Sequence, residues 1–482
     1  MPAGLIQAEA HGDADESPER PARTRGAGVI GASKSELAIA AVPGDSIAKH
    51  FAVGAFWALV GAVVSRGLTL ASSVLAGRLL GTTGFGEIGM IQSTQGLFGI
   101  VAGAGLGLAA TKFVAEFRSV DPARTGRCVT VATTIALISG TLMALVLLVL
   151  SRVIASSVLN APHLTVELQV ATGLVLFGTL NGVQTGALVG FGDFRTVAVL
   201  NTIRGVCLGV FLIAGIELGG VLGGVIGLVL TEAIAVLANH VALRRLLPET
   251  AAWHDRNAAR SELMTMCRFS VVSLLGSICT MSAMWFANVV LVAQPDGYAA
   301  LGVFNAAERW RQLLLFLPAS FSPVILTMLS NLHGTNDPKS YRRLFGLNLA
   351  VSIAVVVVPS IGIILCASPA MGLFGDEYRD GGMTLVILSA SSVAVVLNNL
   401  LGQILVSKGA IMGRFVLDVL LAAVLAIASW QLIPIYRDRG MALGSLIAFA
   451  VTSAALIGTT IYFMRTHGKS PGTAVPGLDG NQ

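Results

Sequence analysis

The sequence predicts an all-α polytopic membrane protein of twelve transmembrane helices in two parallel six-helix lobes. Three observations carry this expectation. Only 12% of the 482 residues are charged, 55 are glycine and mean hydropathy is +0.79, a composition that excludes a soluble globular domain and fits closely packed spans. Apolar stretches of about twenty residues, the length that crosses a bilayer core, recur along the chain. A shift of 216 positions lays the second half over the first, setting Asp121 and Pro122 on Asp337 and Pro338, Gly81 on Gly297, Gly86 on Gly302 and Arg127 on Arg343. One further residue of shift pairs Leu180 and Asn181 with Leu397 and Asn398, and Asn201 with Asp418.

In chain order, residues 1–50 mix proline, glycine and charge, so they are expected to form a disordered cytoplasmic tail without a cleavable signal peptide. The first span then acts as an uncleaved anchor. Helices are expected near 51–76, 84–110, 128–150, 167–190, 196–216 and 219–243, which make an N-lobe over 51–243. A polar linker follows at 244–268. The C-lobe, 269–464, is expected to hold helices near 269–293, 299–329, 344–367, 383–406, 413–434 and 440–464, before a second cytoplasmic tail at 465–482. These stretches are too long for barrel strands and lack two-residue alternation of polar and apolar positions.

Loops of one parity carry Lys112, Arg118, Arg124, Arg127, Arg195, Arg244, Arg245, Arg256, Arg260, Arg268, Lys339, Arg342, Arg343, Lys408 and Arg414; the others carry Arg78, Arg152, Arg379, Arg437 and Arg439. The positive-inside rule therefore places both termini and the linker in the cytoplasm. Six spans per repeat is an even number, so the repeats lie parallel, about an axis along the membrane normal. Duplicated polytopic units are the common plan of transporters, with the substrate site between repeats near the bilayer midplane.

Ionisable groups inside spans are costly and normally face a cavity or a partner. Gln92 and Gln95 map by the repeat onto Glu308 and Arg311, and Asn305, Glu308, Arg309 and Gln312 extend that polar stripe at helical spacing. Both faces are expected to line a central cleft. Arg66, Thr69 and Ser73 form another stripe, although small polar residues also serve close helix packing. Arg66, Arg309 and Arg311 together would make a cationic cavity, and guanidinium suits bidentate contact with phosphate oxygens. Arg204, on the face of Asn201, the isolated Glu232 and Asp418 are candidates for coupling or for a structural network.

A net charge of +5 reads as a topology signal and gives no support for a nucleic-acid partner. Cys128, Cys207, Cys267, Cys279 and Cys366 are scattered and without metal spacing, so no metal or other cofactor is expected. Neither a phosphate-binding glycine loop followed by Lys and Ser or Thr, nor an H-E-x-x-H pair, is present. The glycine-rich run 103–107 reads as a packing surface.

The stretch AGRLLGTTGFGEIG, from Ala76 to Gly89, resembles the turn between the first two spans of Wzx-type oligosaccharide flippases, the polysaccharide branch of the MOP exporter superfamily. The resemblance extends over roughly residues 50–465. It implies a MATE-like fold in a bacterial inner membrane, carrying undecaprenyl-diphosphate-linked oligosaccharide to the periplasmic leaflet for exopolysaccharide, capsule or O-antigen assembly. Membrane lipids, and a polysaccharide polymerase with its export machinery, are the implied partners. Arg66 and the arginines near 309–311 are similar in character to arginines that engage diphosphate in related flippases. A MATE-like cation exporter is the alternative, for which Glu232 and Glu308 would supply acidity. A polytopic enzyme of polysaccharide assembly is disfavoured by short outer loops.

Overall fold

A computed structural model describes residues 44–103, 105–247, 275–334, 338–407 and 411–466. The rest of the expected tails and most of the linker lie outside the described residues. The described residues from Gly54 onward cluster as one compact unit. The described elements are helical, with no strand among them. The long ones are α1 (Gly44–Gly103), α2 (Leu106–Phe117), α3 (Pro122–Val153), α4 (Thr165–Phe191) and α5 (Phe194–Leu246) in the first half. In the second half they are α6 (Leu275–Val292), α7 (Gly297–Gly334), α8 (Pro338–Leu365), α9 (Gly382–Ser407) and α10 (Ile411–Thr466).

Among the described residues, eight helices are long and apolar enough to cross a membrane. Three of them are doubled: α1 breaks at Gly81, α5 at Gly219 and Gly220, and α10 at Arg437. The breaks at Gly81 and Arg437 fall within expected turns between spans, and the break at Gly219 and Gly220 falls in the first two residues of the helix expected at 219–243. The helix α7 is also long enough to cross, and it carries Glu308, Arg309 and Arg311 in its first half.

Local chemistry explains several boundaries. Pro122 opens α3 with Asp121 as its cap, the carboxylate accepting the Arg124 backbone N–H at 2.8 Å, as expected for an Asp-Pro pair at a helix start. Its repeat partner Pro338 opens α8. The breaks at 220 and 437 are also equivalent, and they share one backbone conformation: Gly220 has φ 56°, ψ −132° and Arg437 has φ 52°, ψ −124°. Glycine adopts this region freely and an L side chain does not, so the second half holds a strained arginine where the first has glycine.

The halves are built alike. In the first, α4 packs against α2, α3 and α5; in the second, α9 packs against α7, α8 and α10. These central helices start 217 positions apart, at Thr165 and Gly382, and they contain the most buried of the apolar segments. One polar donor also corresponds, although its acceptors do not. Asn181 Nδ2 on α4 donates to Glu232 Oε2 at 3.0 Å, and Asn398 Nδ2 on α9 donates to Thr452 Oγ1 at 2.9 Å.

The two halves meet where the repeat meets itself. The shift of 216 equates Thr82 with Tyr298 and Gly86 with Gly302. A Cβ on Gly86 would collide with the Tyr298 carbonyl, and one on Gly302 with the Thr82 carbonyl. These are one contact seen from either side, so the local twofold axis of the duplication passes between α1 and α7 at this crossing. Around it, Tyr378 donates to the carbonyls of Gly77 at 3.3 Å and Gly81 at 2.9 Å, Arg78 Nε donates to Leu373 O at 2.6 Å, and Tyr298 donates to Leu159 O at 3.1 Å. Phe85 packs on Phe374, with ring centroids 5.8 Å apart, inside a core that draws residues from both halves.

The strained turn gives a direct check. Arg437→Gly should stabilise the protein by about 1 kcal/mol, and Gly220→Ala should destabilise it by about 1–3 kcal/mol. Thermal unfolding in detergent would measure both, and an unchanged or lowered midpoint for Arg437→Gly would show that the turn is not strained.

Candidate functional site

A cavity of about 1080 Å³ is walled by residues from both halves. From the first half come Arg66, Thr69, Gln92, Gln95, Asn181, Asn201, Arg204 and Glu232; from the second come Met281, Arg309, Gln312 and Phe316, among others. Much of the first-half wall is glycine, including Gly96, Gly99, Gly103, Gly178 and Gly182, which removes side chains and enlarges the space.

The long polar stripe on α7 divides between two environments. Arg309 lies on the cavity side, its Nη2 donating to Gln92 Oε1 at 2.9 Å across the junction of the halves. Gln312 lines the cavity with it. Arg311 does not line it. Its residue exposure is only 6%, its Nε pairs with Glu308 Oε2 at 2.7 Å and its Nη1 reaches Ser391 Oγ on α9 at 3.4 Å. The reason is helical phase: positions 309 and 311 stand about 200° apart around an α-helix, so one face cannot present both. The expectation that Glu308 and Arg311 line the cleft is therefore corrected to an intrahelical ion pair beneath its wall.

Asn305 is also outside the lining. It sits against Gly89, its own repeat equivalent, at the crossing of the halves, with Nδ2 buried and without a hydrogen-bond partner. Asp418 pairs with Arg414 at 2.8 Å, one turn away on α10, and does not join the cavity. Nearby, Trp285 Nε1 donates to Thr94 Oγ1 at 3.1 Å and Asn288 Nδ2 to Ser93 Oγ at 2.6 Å, tying α6 to α1.

Arg66 reaches the cavity from α1, its guanidinium 5.7 Å from the Phe316 ring centroid, within cation–π range. Among the described residues neither Arg66 nor Arg309 has a carboxylate within ion-pairing distance. Arg204 pairs with Glu232. Among the described residues the lining thus holds three arginines against one glutamate, a net charge of +2. An anion with several oxygens is the ligand class that such a site can satisfy, through forked, charge-assisted hydrogen bonds.

Sequence reasoning did not find Phe316 or the amide network of Asn181, Thr185 and Asn239. Asn181 carried a signal, since the repeat keeps an asparagine at 398. Phe316 carried none, being one apolar residue among many.

The two kinds of arginine should behave differently. Arg311→Ala leaves Glu308, 18% exposed, without its ion-pair partner and should cost about 3 kcal/mol, seen as a lower thermal midpoint and poor yield. Arg66→Ala should leave the midpoint nearly unchanged. Equal losses would put both side chains in the same structural role.

Residues 51–333 match the family described as polysaccharide biosynthesis protein. The lipid III flippase of Escherichia coli strain K12 is 26% identical over 366 residues, covering 70% of this chain and 86% of that protein, and the lipid III flippase of Shigella flexneri matches to the same extent. Among solved structures, an inward-facing MATE family multidrug transporter of the MOP superfamily superposes with a TM-score of 0.69 at 16% identity, covering 86% of this chain and all of that one. A MOP superfamily transporter from Pyrococcus furiosus, described as having a binding pocket of reverse polarity, gives 0.67 at 17% identity, over 86% of this chain and 96% of its own. The chain belongs to the polysaccharide biosynthesis protein family and has the fold of the MATE-like transporters.

Proposed function

We propose that this protein is a flippase that moves an oligosaccharide linked through diphosphate to a polyprenyl lipid from the cytoplasmic to the periplasmic leaflet of a bacterial inner membrane. The observation that carries the reading is the cavity between the halves, with Arg66 and Arg309 presenting guanidinium groups that are not ion-paired to any described carboxylate. Holding such charges at membrane depth is costly, and an anionic cargo offsets that cost each time it binds. The relatives named lipid III flippase support the same substrate class.

In this reading the diphosphate sits between Arg66 and Arg309, the sugars occupy the glycine-walled space and the polyprenyl tail stays in lipid. The protein's role is binding and passage, without bond-making on the cargo. Twelve spans, both termini in the cytoplasm and two six-helix lobes are the topology we propose, supported by the three internal breaks and by the asymmetry of Lys and Arg between loops. The packed end around Gly81 and Tyr378 is then periplasmic, and the state described here is closed toward the periplasm. Rocking of the halves about the Gly86 and Gly302 crossing would open that end. An organic cation suits the site less well, because the one acidic group in the lining, Glu232, is already held by Arg204.

The decisive assay follows lipid-linked oligosaccharide reaching the outer leaflet of cells or proteoliposomes at matched protein levels. Arg66→Ala and Arg309→Ala should each slow translocation at least tenfold, and Lys at either position should restore it only in part, since it supplies charge without the planar fork. Wild-type rates in both Ala variants would remove these residues as head-group ligands.

Impermeant thiol labelling of a cysteine placed within 244–268, in a chain without its native cysteines, checks the topology. Labelling is expected only after the membrane is opened, and labelling of intact spheroplasts would reverse the orientation.

A further inference from the structure

Arg204 on α5 and Glu232, beyond the break in the same helix, form an ion pair in the cavity wall. The partners are held very differently. Glu232 is anchored from behind: its Oε2 accepts from Asn181 Nδ2 at 3.0 Å, and Asn181 Oδ1 accepts from Asn239 Nδ2 at 2.7 Å and from Thr185 Oγ1 at 3.3 Å. Its side chain is only 14% exposed. Arg204 is 45% exposed and gives Glu232 Oε1 its Nε and one Nη2 hydrogen. A guanidinium has five N–H donors, so most of the fork remains for a ligand in the cavity.

We propose that Glu232 is the counter-charge that sets how tightly the cavity holds a diphosphate diester and how readily it lets go. It keeps Arg204 in place while the cavity is empty and reclaims it when the cargo leaves. The inference rests on the functional reading above and deepens it. A diphosphate esterified at both ends keeps one acidic oxygen on each phosphate, a charge of −2, which matches the net +2 of the lining. A monophosphate carrier would leave part of that charge uncovered.

Removing the carboxylate changes the empty state most. Arg204, 45% exposed to the cavity, would then stand without its carboxylate, and the lining would carry one more uncompensated positive charge at membrane depth, which is costly. Binding an anion would relieve that cost, so affinity would rise. Affinity gained in the bound ground state does not speed passage, because the same interactions must be broken for release. Glu232→Gln should therefore separate binding from turnover.

The probe is citronellyl diphospho-N-acetylglucosamine, a short prenyl diphosphate sugar with both phosphates esterified. Its binding to the full-length protein in nanodiscs would be measured by calorimetry, and turnover in proteoliposomes as above. Glu232→Gln should bind the probe roughly tenfold more tightly, about 1.4 kcal/mol, and turn over more slowly at saturation. Adding Arg204→Gln should bring affinity back to the wild-type value or below. A pair that only joins two helices would lower the thermal midpoint of Glu232→Gln without tightening the probe. Probe binding by wild type with no tightening in Glu232→Gln would overturn this inference alone. Failure of wild type to bind the probe would overturn the functional reading, and this inference with it.

Discussion

The cost of holding charge at membrane depth is the constraint on which the structure depends. An ionised side chain there needs water, a partner or a ligand, and charged residues within the described helices differ in which they have. Arg311 has Glu308, Asp418 has Arg414 and Arg204 has Glu232. Arg66 and Arg309 have a cavity, a phenylalanine ring and a glutamine. Two of these pairs lie within one helix and the third spans the break in α5, while the charges without a carboxylate partner mark where cargo is expected. The division explains why adjacent arginines on one helix have opposite roles.

The duplication supplies the second constraint, since two equivalent halves that meet about a local axis must meet through equivalent residues. Gly86 and Gly302 do so because only a residue without a Cβ lets each helix approach the other's carbonyl. Divergence shows where symmetry was not needed. Gln92 became the acceptor for Arg309 while its own equivalent, Glu308, turned to Arg311. The arginine at 437 keeps a backbone shape suited to the glycine at 220.

Much of the fold was legible from the chain alone because its signals are long and additive. Apolar length gives the helices, the 216-residue shift gives the two similar halves, and Gly81 marks a predicted turn, while the break at Gly219 and Gly220 lies just past the turn expected at 217–218. The cavity was legible as a set of polar faces and blurred in its detail. Arg66, Gln92, Gln95, Arg309 and Gln312 line it, while Asn305, Glu308 and Arg311 do not. A stripe on α7 that is polar over about 160° of its circumference is too broad to show which part of it faces the cavity, and the neighbours that decide this, Ser391 on α9 and Gly89 on α1, are distant in sequence. The Arg204 and Glu232 pair bridges a helix break and therefore has no helical spacing to betray it.

The most direct test of the account is a structure of the full-length protein in a lipid nanodisc with a prenyl diphosphate sugar bound. The account predicts diphosphate density between Arg66 and Arg309, with the sugar against the glycine wall at 96–103 and 178–182 and the prenyl chain leaving toward lipid. Diphosphate found on the outer surface of the helices, with an empty cavity between the halves, would contradict it.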